Sequence, residues 1–178
     1  TENASKDIAS ANLIIVATPV AQTKKILADI YPFLSKKTVV TDVGSTKSDV
    51  MNVAKESLKE KFNQFIGSHP IAGSEKHGPS AANYKLFENK DIIITPHDNS
   101  LDTSINYLKE FWVSLGGRIS TMTPAIHDEI FSTVSHIPHL LAFGLVNLIN
   151  NKSNKDQLLN FAAFGAMLKV FFVSCAGV

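Results

Sequence analysis

One cysteine, Cys175, and one arginine, Arg118, stand in a chain of 178 residues. A lone cysteine cannot close an internal disulfide, which excludes a disulfide-stapled secreted scaffold and leads us to expect a reducing compartment. No basic-then-apolar leader precedes the first apolar run, which points the same way, to the cytoplasm. Charge of one sign is equally scarce: 17 basic and 16 acidic side chains leave a formal net charge of +1. Without a basic cluster interleaved with aromatics, nucleic-acid binding has no electrostatic footing. The sequence also holds no G-x-G-x-x-G, the fingerprint that lays a pyrophosphate on a helix N-terminus. The most apolar stretch, residues 161–178, is broken by Lys169 and Ser174 and falls short of the roughly 20 apolar residues of a membrane helix. A helix buried in a domain or subunit interface is expected there, or a foreign tail, and no membrane span.

What is present describes a folded chain with a core: 44% hydrophobic and 19% charged residues, with no repeat and no low-complexity tract. Apolar, β-branched runs at residues 13–18, 38–43, 65–67, 92–95 and 118–122 read as strands. Between them lie helical stripes, clearest at Leu101, Ile105, Leu108, Trp112 and Leu115, which Gly116 and Gly117 stop. Strands separated by single helices predict parallel pairing, so the fold class is α/β, a partial doubly wound sheet over residues 11 to about 122. An all-helical segment follows Pro124, its long pattern interrupted at Pro138. The polar first ten residues are given no element, and residues 68–90 form a loop longer than a passive connection.

In open α/β sheets ligands lie beyond the carboxyl ends of the strands, so chemistry is sought just after each one. Thr18-Pro19-Val20 follows the first strand, where proline in a first helical turn costs no hydrogen bond, though a plain turn explains it as well. Asp42-Val43-Gly44-Ser45-Thr46-Lys47 follows the second. Gly44 permits a tight turn and amides at the helix start favour an electron-rich ligand group, while capping by Ser45 or Thr46 alone accounts for the hydroxyls. The long loop opens with Gly67-Ser68-His69-Pro70, placing His69 just past a strand end, as a proton acceptor near neutral pH or as a hydrogen-bonded loop residue. Ser135-His136-Ile137-Pro138-His139 sets two histidines three apart on one helical face. A zinc site there wants a third ligand that His127 and Asp128 are too loosely placed to supply, so no metal is expected. His97-Asp98 reads as loop polarity and Cys175 as a packed thiol.

Taken in order, Val16-Ala17-Thr18-Pro19-Val20, the Asp42 to Lys47 string, the string from Gly67 through Ser74-Glu75 to Gly78, His127-Asp128 and Ser135 to His139 resemble the prephenate dehydrogenase family, which includes the arogenate dehydrogenases. The resemblance implies a Rossmann-like nucleotide-binding portion over residues 1–123 and a helical substrate-binding and dimerisation portion over 124–178. It implies NAD or NADP as cofactor and the oxidative decarboxylation of prephenate to 4-hydroxyphenylpyruvate, or the matching reaction of arogenate, in tyrosine biosynthesis. By the same matching His69 is the catalytic base, Ser45 touches nicotinamide and substrate hydroxyl, and Thr18, Pro19, Val20, Asp42 and Gly44 line the cofactor. Ser74 and Glu75 stand at the mouth of the site, and Ser135, His136 and His139 face it from the helical portion. The implied partners are a small-molecule substrate and, in the intact protein, a second copy of the chain.

Two departures qualify that expectation. The glycine fingerprint is missing, and residues 161–168 begin like the family's arginine-bearing segment and then diverge, while Arg118 falls in a strand and cannot replace that arginine. The chain is therefore expected to be a fragment of low activity, without the glycine-rich N-terminal part and most of the helical domain. The alternatives are another β-hydroxyacid-type dehydrogenase, with a lysine base on a helix of its second domain, a non-catalytic dimerisation or binding module, and a metal hydrolase built on His136 and His139.

Overall fold

The computed structural model describes residues 2–73 and 82–161. Ser74 and Glu75, and the chain beyond Phe161 with Cys175, lie outside the described residues. The chain divides into two units, the first being Thr1–Ile71 with Phe87–Asp128 and the second Ala72–Leu86 with the chain from Glu129 onward.

In the first unit the chain runs α1 (Glu2–Ser10), β1 (Leu13–Val16), α2 (Thr23–Ile30), β2 (Val39–Asp42), α3 (Ser48–Leu58), β3 (Gly67–Pro70), β4 (Asp91–Thr95), α4 (Asp102–Ser114), β5 (Arg118–Thr121) and the start of α5 (Pro124–Phe131). Short 3₁₀ turns at Val20–Gln22, Tyr31–Phe33 and Lys59–Gln64 join them. β1 and β2 pair in parallel from Leu13 with Val39 to Val16 with Asp42. Val40 bridges Phe65 in the same sense, and the Ile66 N–H donates to the Val40 carbonyl at 2.9 Å. The carboxyl ends of β1, β2 and β3 therefore lie on one edge.

The expected parallel order holds for β1 with β2 and for β4 with β5, whereas β3 and β4 run antiparallel. A parallel return needs a crossover, usually helical; among the described residues of that connection, 71–73 and 82–90, none is helical. The strand itself is longer than its apolar run suggested. Ser68, His69 and Pro70 belong to β3, so His69 pairs with Ile93 inside a strand and not in the loop beyond one.

Successive strand residues point to opposite faces, and the core obeys that period of two. Val40 and Phe65 face one side with Leu27 and Ile30 of α2 and Val50, Ala54 and Leu58 of α3. Val39 and Ile66 face the other with Ile92, Ile94, and Leu108 and Trp112 of α4. Each of the larger aliphatic and aromatic side chains contributes roughly 1.5–3 kcal/mol on burial, so the two clusters fix the strand ends where the polar residues gather. Gly116, at φ +84°, stops α4 in a conformation that a side chain would strain. The unassigned N-terminus is the helix α1, whose Ile8 packs on the first cluster. One apolar contact among polar residues makes no stripe, which is why the pattern missed it.

In the second unit a π-turn, Ser132–His136, leads into α6 (Ile137–Asn150), and α7 (Lys155–Phe161) follows. Pro138 sits in the first turn of α6 and cannot donate to the carbonyl four residues back, so the helix widens just before it and then continues. Along α6, Leu140 and Leu141 are 68% and 69% exposed. Among the described residues one helical run, Pro124–Asn150, is long and apolar enough by length and composition to cross a bilayer.

Candidate active site

Asp42 ends β2 and is fully enclosed, as is Lys47 five residues on. The Lys47 ammonium donates to Asp42 Oδ2 and, at 2.8 Å, to the Ser68 carbonyl. The Gly44 N–H donates to Asp42 Oδ2 at 2.8 Å. Ser68 Oγ donates to the Asp42 carbonyl at 2.6 Å, which pins β3 beside the end of β2. Burial pushes the Asp42 carboxyl up and the Lys47 ammonium down, and their mutual contact opposes both shifts. A Cβ on Gly44 would stand 3.0 Å from Asp42 Oδ2 and 3.1 Å from Val20 Cγ2. That spacing brings two of the sequence motifs together: the exposed Thr18-Pro19-Val20 corner and the turn carrying half-buried Ser45 lie against each other at the carboxyl edge.

Neither Ser45 nor Thr46 caps the next helix. α3 begins at Ser48, and the backbone N–H groups of Lys47 and Ser48 both donate at 2.8 Å to the carboxylate of Asp128. Asp128 Oδ1 also lies 2.8 Å from Nδ1 of His127, whose ring is fully buried. Nε2 of His127 is in turn 2.8 Å from Nδ1 of His69, with ring centroids 5.1 Å apart at 62°. Burial alone would raise the Asp128 carboxyl, but hydrogen bonds from Ser48, His127 and the Lys47 backbone outweigh it and hold the group at about 2. Burial pushes the His127 imidazole below its usual range, against the pull of Asp128.

His127 and Asp128 thus occupy the centre of the polar network, a place the sequence did not give them. Their partners lie 58 to 81 positions away along the chain. A histidine–aspartate pair in the first helix after the last strand was the available signal. His97, read as loop polarity, is a strut: it stacks on Phe62 at 3.9 Å, donates from Nε2 to the Phe62 and Phe65 carbonyls at 3.2 and 3.1 Å, and accepts the Asn99 N–H on Nδ1 at 3.2 Å. Arg118 donates to Asp91 at 2.9 Å on an exposed surface.

In the second unit Ser135, His136 and His139 are all half-buried, and Ser135 Oγ lies 3.5 Å from His139 Nε2, the outer limit of a hydrogen bond. Among the described residues no group of three or more histidine, cysteine, aspartate or glutamate side chains is placed to hold a metal ion.

Residues 1–121 match the prephenate dehydrogenase nucleotide-binding domain, and residues 123–169 the prephenate dehydrogenase dimerization domain. The chain is 36% identical over 160 residues to the prephenate dehydrogenase of Bacillus subtilis, covering 89% of this chain and 43% of that protein. Its structure is similar to prephenate dehydrogenase from A. aeolicus in complex with hydroxyphenyl propionate and NAD+, at a TM-score of 0.83 and 30% identity, covering 97% of this chain and 59% of that one. It is also similar to Synechocystis arogenate dehydrogenase, at a TM-score of 0.78 and 26% identity over 98% of this chain and 62% of that one. The chain spans about half the length of the curated relatives it matches. With both of its halves matched in order and the strand-end motifs gathered on one edge, the chain belongs to the prephenate dehydrogenase family.

Proposed function

We propose that this chain carries the hydride-transfer site of a dehydrogenase that oxidises and decarboxylates prephenate or arogenate with NAD or NADP, and that His69 is its base. The observation that carries the reading is one carboxylate: Asp128 holds His69 through His127 and, by two backbone N–H groups, the turn that bears Ser45. Base and hydroxyl are thereby fixed by a common anchor at the carboxyl edge of the sheet, where such folds bind ligands.

The exposed Thr18-Pro19-Val20 corner and the Gly44-Ser45 turn suit the nicotinamide end of a dinucleotide, since Gly44, having no side chain, lets the turn pack directly against Val20 and Asp42 and so presents the two motifs side by side. The glycine fingerprint for the pyrophosphate is not in this sequence. When bound, the nicotinamide supplies the acceptor for the hydride leaving the hydroxyl-bearing ring carbon. His69 takes the hydroxyl proton as that carbon becomes a carbonyl. The C–CO2 bond then breaks, the ring becomes aromatic, and the phenolate oxygen recovers a proton from the imidazolium. Such a base contributes roughly 10²- to 10⁴-fold. Ser135, His136 and His139 are proposed as substrate contacts from the helical unit. The exposed leucines of α6, within the stretch that matches a dimerization domain, are proposed to pair subunits and not to enter a membrane.

With its one arginine bonded to Asp91, the chain offers no guanidinium for a substrate carboxylate, so slow turnover is expected. The test is reduction of NAD or NADP followed at 340 nm, with prephenate and arogenate in parallel. Slow turnover that His69→Asn abolishes supports the reading. Turnover indifferent to His69→Asn points to a lysine base and another dehydrogenase class, and no reduction with either substrate and either cofactor overturns the proposal.

A further inference from the structure

We infer that His127 and Asp128 are positioning residues that fix the tautomer of His69, with the hydrogen on Nδ1 and the lone pair on Nε2. The inference rests on the reading of His69 as the base, and it deepens that reading.

Three groups form the relay. Asp128 accepts two backbone N–H bonds and is held ionised, so its contact with His127 needs a donor on the imidazole. His127 Nδ1, 2.8 Å away, therefore carries hydrogen. The His127 ring is fully buried, and burial disfavours its cation, so its second nitrogen, Nε2, is bare and can only accept. The atom facing it at 2.8 Å is His69 Nδ1, which must then be the donor. In a neutral His69 this leaves Nε2 without hydrogen, the form that takes a proton. The opposite tautomer would set two lone pairs against each other across the same 2.8 Å.

The relay also prepares the product state. Once His69 is protonated, its Nδ1–H bond to His127 becomes charge-assisted, and Asp128 polarises the accepting ring from its far side without any further proton moving. The same carboxylate starts α3 immediately after the Gly44-Ser45 turn, so a shift of Asp128 would displace both the base and the hydroxyl proposed to meet the substrate.

Long-range proton–nitrogen NMR of the full chain at about pH 8, above the ordinary histidine range of ~6.5, reads the tautomer directly and needs no turnover. The expected result is a pyrrole-type Nδ1 and a pyridine-type Nε2 for His69. His127→Phe removes the acceptor and should move the hydrogen to Nε2. His127→Gln, whose amide can accept from His69 and donate to Asp128, should restore the original form. A hydrogen on Nε2 in the unaltered chain overturns the inference, as does a His127→Phe chain with a native amide spectrum and an unchanged His69. Should His127→Phe fail to fold, the tautomer of the unaltered chain still decides. Failure of the underlying base assignment has a different signature, turnover that survives His69→Asn whatever the tautomer.

Discussion

Two histidines, His69 and His97, sit near opposite ends of the β3–β4 pair and are held by different chemistry. His97 spends both ring nitrogens on main chain, stacks on Phe62 and ties the end of β4 to the turn before β3. His69 gives Nδ1 to a second histidine backed by a carboxylate. Amide partners fix an imidazole as scaffold, because any gain or loss of a proton breaks a bond to the backbone. A neutral acceptor with a carboxylate behind it tolerates a cation and favours it. The same contrast separates two ion pairs, Lys47 with Asp42, enclosed between strands, and Arg118 with Asp91, open to water.

The sharpest way to break this contrast is at the enclosed pair. Lys47→Met strands Asp42 in the interior beside Gly67, and removing one partner of a buried pair costs about 3–5 kcal/mol. Urea unfolding monitored by far-UV circular dichroism should register that loss, and adding Asp42→Leu should recover much of it. Equal stability of Lys47→Met and the parent would show that the pair is not enclosed as described.

A smaller effect belongs to the scaffold histidine. Burial pushes the folded His97 below its ordinary value of 6.5. The unfolded chain therefore binds the proton more readily, and the contribution to stability is lost as pH falls below 6.5 toward the folded value. His97→Phe keeps the stack on Phe62 and removes the titration, so its unfolding midpoint should decline less between pH 7 and pH 5 than the parent's. Parallel declines would contradict the assignment. Smallest of all is Arg118→Ala, which should leave the midpoint unchanged within error, because an exposed ion pair gains little over its hydrated partners.

How far the sequence revealed these features follows from what each depends on. β1, β2, β4, β5 and α4 were legible because their apolar spacing carries the signal, and Gly116 marked the end of α4. β3 was cut short because Ser68, His69 and Pro70 lack an apolar alternation. Its place in the sheet is set by Val40, by the Asp42 carbonyl that Ser68 bonds, and by β4. The motif residues Thr18 to Val20 and Asp42 to Lys47 stood out by type and by position after a strand. The links among them did not. That Asp128, and not Ser45 or Thr46, caps α3 is a contact across 80 residues, and no local pattern encodes it. The buried Lys47 was invisible for the same reason, since a lysine in a turn gives no sign that a carboxylate waits inside.

The direct test sets the two histidines against each other in one experiment, with cofactor reduction and the unfolding midpoint measured for His69→Asn and His97→Asn under the same conditions. His69→Asn should lower turnover by roughly 10²- to 10⁴-fold with little change in midpoint, and His97→Asn should lower the midpoint while the folded fraction keeps its turnover. If His97→Asn abolishes turnover in folded protein, or His69→Asn leaves it intact, the division between scaffold and base is wrong.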